Sequence, residues 1–157
     1  NRPLQMAAIE MLDPERCLQE RIALQQHFRM KRDHVLKRLA EMGLPVRVKP
    51  QATFYIWLYV GDLDAPLNSG MIVFEELLKE KVIVTPGLFF DLNPSHRRNI
   101  VDSPCEKFVR LSYGPPLEDI DRGLDGIERV LRKARTNSTK MGRGYSKTGP
   151  GHTPHLF

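Results

Sequence analysis

Residues 108–131 constrain the fold more than any other stretch, because the periodicity changes inside them. Phe108-Val109-Arg110-Leu111-Ser112-Tyr113-Gly114 is rich in β-branched and aromatic residues and reads as a strand. Gly114-Pro115-Pro116 stops it. Apolar residues then recur at Leu117, Ile120, Leu124, Ile127 and Leu131, spaced +3, +4, +3, +4, which is one face of a helix. The chain therefore has to lay a helix on a sheet directly after a strand. That strand carries one guanidinium, Arg110, among apolar neighbours, where a charge does not sit unpaired without cost. Pairing with an internal acid, or exposure to solvent, is the common outcome for such an arginine. Binding a ligand carboxylate through two parallel hydrogen bonds is the alternative.

The rest of the chain supplies the other layers. Residues 3–12 read as the end of a helix, broken at Asp13-Pro14. Asp13 as cap and Pro14 in the first turn open a long helix over about 15–42, stopped by Gly43. Leu18, Ile22, Phe28, Val35, Leu39 and Met42 roughly keep its apolar stripe. Arg29, Lys31, Arg32, Asp33, Lys37 and Arg38 read as a solvated face laced with ion pairs. Val46-Arg47-Val48 alternates like a short strand. Thr53 to Val60 is an almost unbroken strand-forming run, expected to be covered on both faces. A helix is expected over 71–81 and a buried strand over Val82-Ile83-Val84-Thr85, ended by Pro86-Gly87. Residues 88–107 form a long connection without periodicity, a common place for function. The pattern predicts an α+β fold: a small, mainly antiparallel sheet of about four strands with helices on one face.

Charge and cysteine content narrow the function. The net charge is +5, but residues 136–157 hold Lys140, Arg143 and Lys147 and no acid, so the other 135 residues carry only +2. A near-neutral body argues against a nucleic-acid partner. No apolar run approaches the roughly 20 residues needed to cross a bilayer, so no membrane role is expected. Cys17 and Cys105 are far apart and no Cys/His cluster is present, so no metal site is expected and a reduced, cytoplasmic setting is. Residues 136–157 have little to bury and read as a disordered basic tail.

Four features stand in order: Pro50-Gln51-Ala52-Thr53-Phe54-Tyr55-Ile56-Trp57; Val82-Ile83-Val84-Thr85-Pro86-Gly87 with Phe90; Phe108 to Gly114; and the helix with Gly123-Leu124 and Ile127. Together, over roughly residues 3–135, they resemble the C-terminal small domain of class I/II aminotransferases, fold-type I enzymes that use pyridoxal phosphate. Lys31-Arg32-Asp33 and the apolar helix after it resemble the long helix leading into that domain. The resemblance implies a division into 1–14, the end of the large-domain region, 15–135, the small domain, and the tail. It implies that Arg110 matches the arginine that binds the substrate α-carboxylate. It implies amino-group transfer between an amino acid and a 2-oxo acid, in a homodimeric parent.

The family's cofactor lysine and the other groups that hold pyridoxal phosphate belong to the large domain. The resemblance therefore places no catalytic and no cofactor-binding residue in this chain, which alone is expected to be inactive. A lyase or synthase of the same fold, or a non-catalytic truncated paralogue serving as a binding or dimerisation module, are the alternatives. One departure stands out: Ala52 occupies the position before Thr-Phe-Tyr where the family usually has glycine. Along Pro3 to Leu12 and part of the long helix, exposed apolar surface is expected.

Overall fold

A computed structural model describes residues 1–92 and 98–144. Helix α1, Arg2–Ala8, runs into a 3-10 turn at Ile9–Leu12. Asp13 then caps helix α2, Pro14–Glu41, its carboxylate accepting from the Arg16 amide at 2.9 Å. Gly43, at φ +85°, lets the chain turn away from that helix. Strand β1 is Tyr55–Tyr59, helix α3 Gly70–Lys79, strand β2 Thr85–Pro86, strand β3 Phe108–Ser112 and helix α4 Leu117–Gly144.

The sheet is antiparallel in the order β1-β3-β2. Strand β3 sits in the middle, with Trp57 opposite Arg110 on one side and Thr85 opposite Arg110 on the other. Alternation along β1 and β3 sends Ile56, Leu58, Val109 and Leu111 to one face. There they meet Val35 and Leu39 of α2, Val73 and Leu77 of α3, and Ile120, Leu124, Ile127 and Leu131 of α4. All three helices cover that face, as the α+β expectation requires. Each buried aliphatic side chain of this kind contributes about 1.5–3 kcal/mol.

Three expectations need correction. The described sheet has three strands, not four. Val46-Arg47-Val48 pairs with nothing: Val48 is 81% exposed, and the Arg47 guanidinium lies 3.7 Å from the Tyr59 ring centre while bonding Asp62 at 2.6 Å. Val82 to Val84 keep an inward-outward alternation but make no ladder with β3. The amides of Glu80, Lys81 and Val82 turn back onto the carbonyls of Leu77 and Leu78, and Lys81 takes φ +61°. The chain therefore reaches β3 only at Thr85, and Pro86 has no amide with which to go further.

The second correction concerns β1, which is covered on one face only. Its other face, with Tyr55, Trp57 and Tyr59, is half-open. The third concerns α4, which runs past the expected end at Arg135 to Gly144. No proline interrupts the sequence there before Pro150. The rest of the expected tail, 145–157, lies outside the described residues, as do Asn93-Pro94 and His96-Arg97 of the long connection. Leu4, Met6, Ile9, Met11 and Leu12 are exposed, as are Leu18 and Ile22, so the expected stripe of α2 is buried only from Lys31 onward. Both cysteines are free thiols.

Candidate functional site

Arg110 stands at the centre of the uncovered sheet face. It is half-buried, and its guanidinium carbon lies 4.2 Å from the Tyr55 ring centre and 4.4 Å from that of Phe90. Tyr55 arrives from β1, and Phe90 from the 3-10 turn Gly87–Phe90 that follows β2. Contacts of this kind each contribute about 0.5–2 kcal/mol and hold the side chain in place without using its N–H donors. Among the described residues no carboxylate pairs with Arg110. The positive charge is thus flanked by two rings. A planar carboxylate suits such a rim of donors.

The rings form a continuous plate. Trp57 stacks on Phe108 at 5.3 Å with 15° between planes, and meets Phe90 edge-on at 5.6 Å. Tyr59 closes the far end against Phe108 at 5.0 Å. The plate is an open surface. Grooves of about 750 and 600 Å3 lie elsewhere, the first along α2 and residues 51–54, the second between residues 80–83 and α4. Neither is lined by Arg110.

Two devices place this plate. At the β2 end, a side chain on Gly87 would collide with the backbone carbonyls of Cys105 and Phe108, so only glycine lets the Pro86-Gly87 turn lie against β3 and deliver Phe90. Just beyond, Asp91 pairs with Arg98, and the Ser103 hydroxyl together with Arg98 holds its carboxyl below the usual carboxylate range.

At the other end of β3, Lys31 of α2 is only 5% exposed. Its ammonium donates to the carbonyls of Gly114 at 3.1 Å and Pro115 at 2.6 Å. Arg32 donates to the Pro50 carbonyl at 3.1 Å, and Asp33 holds Lys49 at 3.0 Å. Tyr113, fully buried, donates its hydroxyl to the Thr53 carbonyl at 2.8 Å, and burial pushes that phenol up. Glycine at the Ala52 position would allow a left-handed backbone; in this chain the left-handed residue is Thr53, at φ +67°. A β-branched residue there costs about 1–3 kcal/mol and persists because its surroundings fix it. Here the fixing groups are the Tyr113 hydroxyl and the Tyr55 amide, which donates to the Thr53 hydroxyl at 3.1 Å.

Lys31 and Arg32 are therefore not on a solvated face, whereas Asp33 is exposed and ion-paired with Arg32 and Lys49 as expected, and the Lys31-Arg32-Asp33 triplet has a structural part. It ties α2 to the start of β1 and to the end of β3, the strand that carries Arg110. Spacing held the signal: Lys31 stands four residues before Val35 and eight before Leu39, on the buried stripe.

The neighbours of Arg110 do not fit pyridoxal phosphate by themselves. Among the described residues, those in contact with it or registered against it are Tyr55, Phe90, Trp57 and Thr85, and none of these is a lysine. No group of three or more His, Cys, Asp and Glu among the described residues could hold a metal ion. No helix among them is long and apolar enough to cross a membrane.

Comparison with known proteins places this arrangement. The chain is 33% identical over 133 residues to an aromatic-amino-acid aminotransferase 2 of Thermococcus litoralis, covering 84% of itself and 30% of that protein. It is 33% identical over 132 residues to an aspartate aminotransferase of Pyrococcus abyssi, again covering 30% of the relative. The solved structure of an aromatic aminotransferase from Pyrococcus horikoshii superposes with a TM-score of 0.66 at 30% identity, over 83% of this chain and 31% of that one. The chain thus spans about a third of the length of these relatives. The model of aminotransferase class I and II matches residues 1–127, and with an antiparallel sheet, its helices on one face and an arginine at its centre, the chain belongs to that family.

Proposed function

We propose that the chain is the C-terminal small-domain part of a pyridoxal-phosphate-dependent aminotransferase and that Arg110 binds the α-carboxylate of its substrate. The observation that carries this reading is a guanidinium flanked by Tyr55 and Phe90 with no acid among the described residues paired to it. A bidentate grip on the carboxylate orients the amino acid for transfer of its amino group to a 2-oxo acid. The cofactor supplies the electron sink of that reaction, and groups outside this chain hold it. Residues 15–135 form the small domain in this reading, residues 1–14 end the large-domain region, and the parent is a cytoplasmic homodimer.

Losing a bidentate charged contact costs about 2–4 kcal/mol. In the complete enzyme, Arg110→Lys raises KM for amino acids about 30- to 700-fold, as that energy converts at about 1.4 kcal/mol per tenfold. An unchanged KM rejects the role. A second reading, a non-catalytic binding or dimerisation module, draws on the absence of lysine among the neighbours of Arg110. The chain mixed with pyridoxal phosphate gives no site-specific absorbance band in either reading. The same mixture with the upstream part of the polypeptide gives one only if the parent is an enzyme. Lyase or synthase chemistry on the same fold would show as product release without amino transfer in that assay. The names of the relatives divide between aromatic amino acids and aspartate, so similarity does not choose a substrate.

A further inference from the structure

We propose that Thr53 is a positioning residue for the substrate carboxylate: its left-handed backbone and its hydroxyl together set the Tyr55 ring against the guanidinium of Arg110. This deepens the reading of Arg110 given above and rests on it.

Three observations carry it. First, packing does not account for the strain at Thr53. The residue is exposed and stands outside the core, yet a β-branched side chain there takes φ +67°. Second, the groups that hold it lead to the site strand. Tyr113, which follows Arg110 and β3, grips the turn twice. Its hydroxyl donates to the Thr53 carbonyl at 2.8 Å, and its amide donates to the Phe54 carbonyl at 2.9 Å. The Phe54 carbonyl and the Val60 amide, bonded to Tyr113 and Lys107, both face β3, so by alternation the Tyr55 amide faces the outer edge of β1. Among the described residues no strand pairs with that edge, and the Thr53 hydroxyl accepts from the Tyr55 amide at 3.1 Å. Third, the residue so held carries the ring beside the guanidinium. Neighbouring side chains of a regular strand point to opposite faces, yet directly after this turn the Phe54 and Tyr55 ring centres lie 4.3 Å apart. Tyr55 therefore touches both Phe54 and the guanidinium, whose carbon lies 4.2 Å from its ring centre. A ring at that distance restricts the arginine without using its N–H donors. A side chain already restricted loses less freedom when a carboxylate binds.

The test reads the guanidinium itself. The Arg110 Nε–H resonance of the 157-residue chain, identified by its loss in Arg110→Gln, carries the ring-current shift of Tyr55. Tyr55→Leu gives its position without that ring. Propanoate is then titrated into the unaltered chain and into three variants. Thr53→Val removes the hydroxyl and keeps the branched shape. It should move the resonance toward its Tyr55→Leu position and weaken propanoate about two- to fivefold, the equivalent of one exposed contact between a cation and a ring. Thr53→Gly also lacks the hydroxyl but takes a positive φ without strain, so its fold is secure, and it should follow Thr53→Val in both readings. Thr53→Ser keeps the hydroxyl and should match the unaltered chain in both. Unaltered resonance and affinity in Thr53→Val and Thr53→Gly, or a Thr53→Ser variant that behaves like Thr53→Val, overturn the positioning role while the reading of Arg110 stands. So does a change in resonance or affinity without the other. No propanoate response in the unaltered chain overturns the reading of Arg110 and this role with it.

Discussion

Replacing Lys31 by methionine tests how the α2 helix holds the end of the site strand. Methionine keeps much of the volume and the apolar stem but removes the ammonium. The carbonyls of Gly114 and Pro115 then lose the donor that now sits 3.1 and 2.6 Å away. A hydrogen bond to a charged group is worth about 1.5–3 kcal/mol, and the Gly114 and Pro115 carbonyls are only part-buried, so water takes up some of what they lose. Against this stands the cost of keeping a charge where only 5% of the residue is exposed, which the substitution relieves. The ring of Phe28, 5.7 Å from the ammonium, offsets only part of that cost. The balance is a loss of about 2–3 kcal/mol. With a urea slope of about 2 kcal/mol/M, the midpoint falls by about 1–1.5 M at unchanged slope. Urea unfolding followed by far-UV circular dichroism and by Trp57 fluorescence measures it. Lys37→Met is the control: Lys37 is exposed, with Glu41 at 3.9 Å as its partner, and a change of at most about 0.5 kcal/mol is expected. A Lys31→Met effect as small as that of the control refutes the clamp.

The remaining predictions concern the two ends of the sheet and its pH response. Gly87→Ala sets a methyl against the carbonyls of Cys105 and Phe108 and should cost about 2 kcal/mol or more, with a loss of the near-UV circular dichroism of Trp57 as Phe90 shifts. Glu80 joins the end of α3 to α4 through Lys133 at 2.5 Å and Arg129 at 2.7 Å, and these two cations hold its carboxyl below the usual range. A lowered carboxyl stabilises the fold above its ordinary range and loses that effect as pH falls through the folded value. Glu80→Gln should therefore lower the melting temperature at neutral pH, and the gap from the parent chain should close in acid, below about pH 4. A gap that is constant with pH contradicts the ion-pair origin.

The sequence revealed the parts of the fold that rest on simple periodicity. Ile120, Leu124, Ile127 and Leu131 are all buried, as their spacing requires, and the strand before them is the central one. Arg110 stands on the central strand, as the sequence pattern places it, but residue types alone favour pairing with an internal acid, and only the family resemblance points to a ligand. What failed was pairing. Val46 to Val48 alternates correctly but finds no partner, and Val82 to Val84 is kept off β3 by a tight turn that residue types do not announce. Coverage of β1 failed because residue identity says that aromatic rings prefer burial but not whether this chain supplies the cover. Lys31 departs from the solvated-face expectation because its position, on the stripe of Val35 and Leu39, outweighs its residue type. Its partners are backbone carbonyls more than eighty residues away, which no local pattern can show. The placement of Phe90 came from a glycine that permits close approach, a three-dimensional requirement visible only once β3 is beside it.

The central claim is that the guanidinium of Arg110 is free to take a carboxylate. The side-chain Nε–H resonance of Arg110, assigned by its loss in Arg110→Gln, is followed in a nitrogen-edited proton spectrum while propanoate is added to the chain. A saturable shift of that resonance, weakened by added salt and absent for propanamide, is the expected result. A resonance that stays fixed while other arginines respond contradicts the claim.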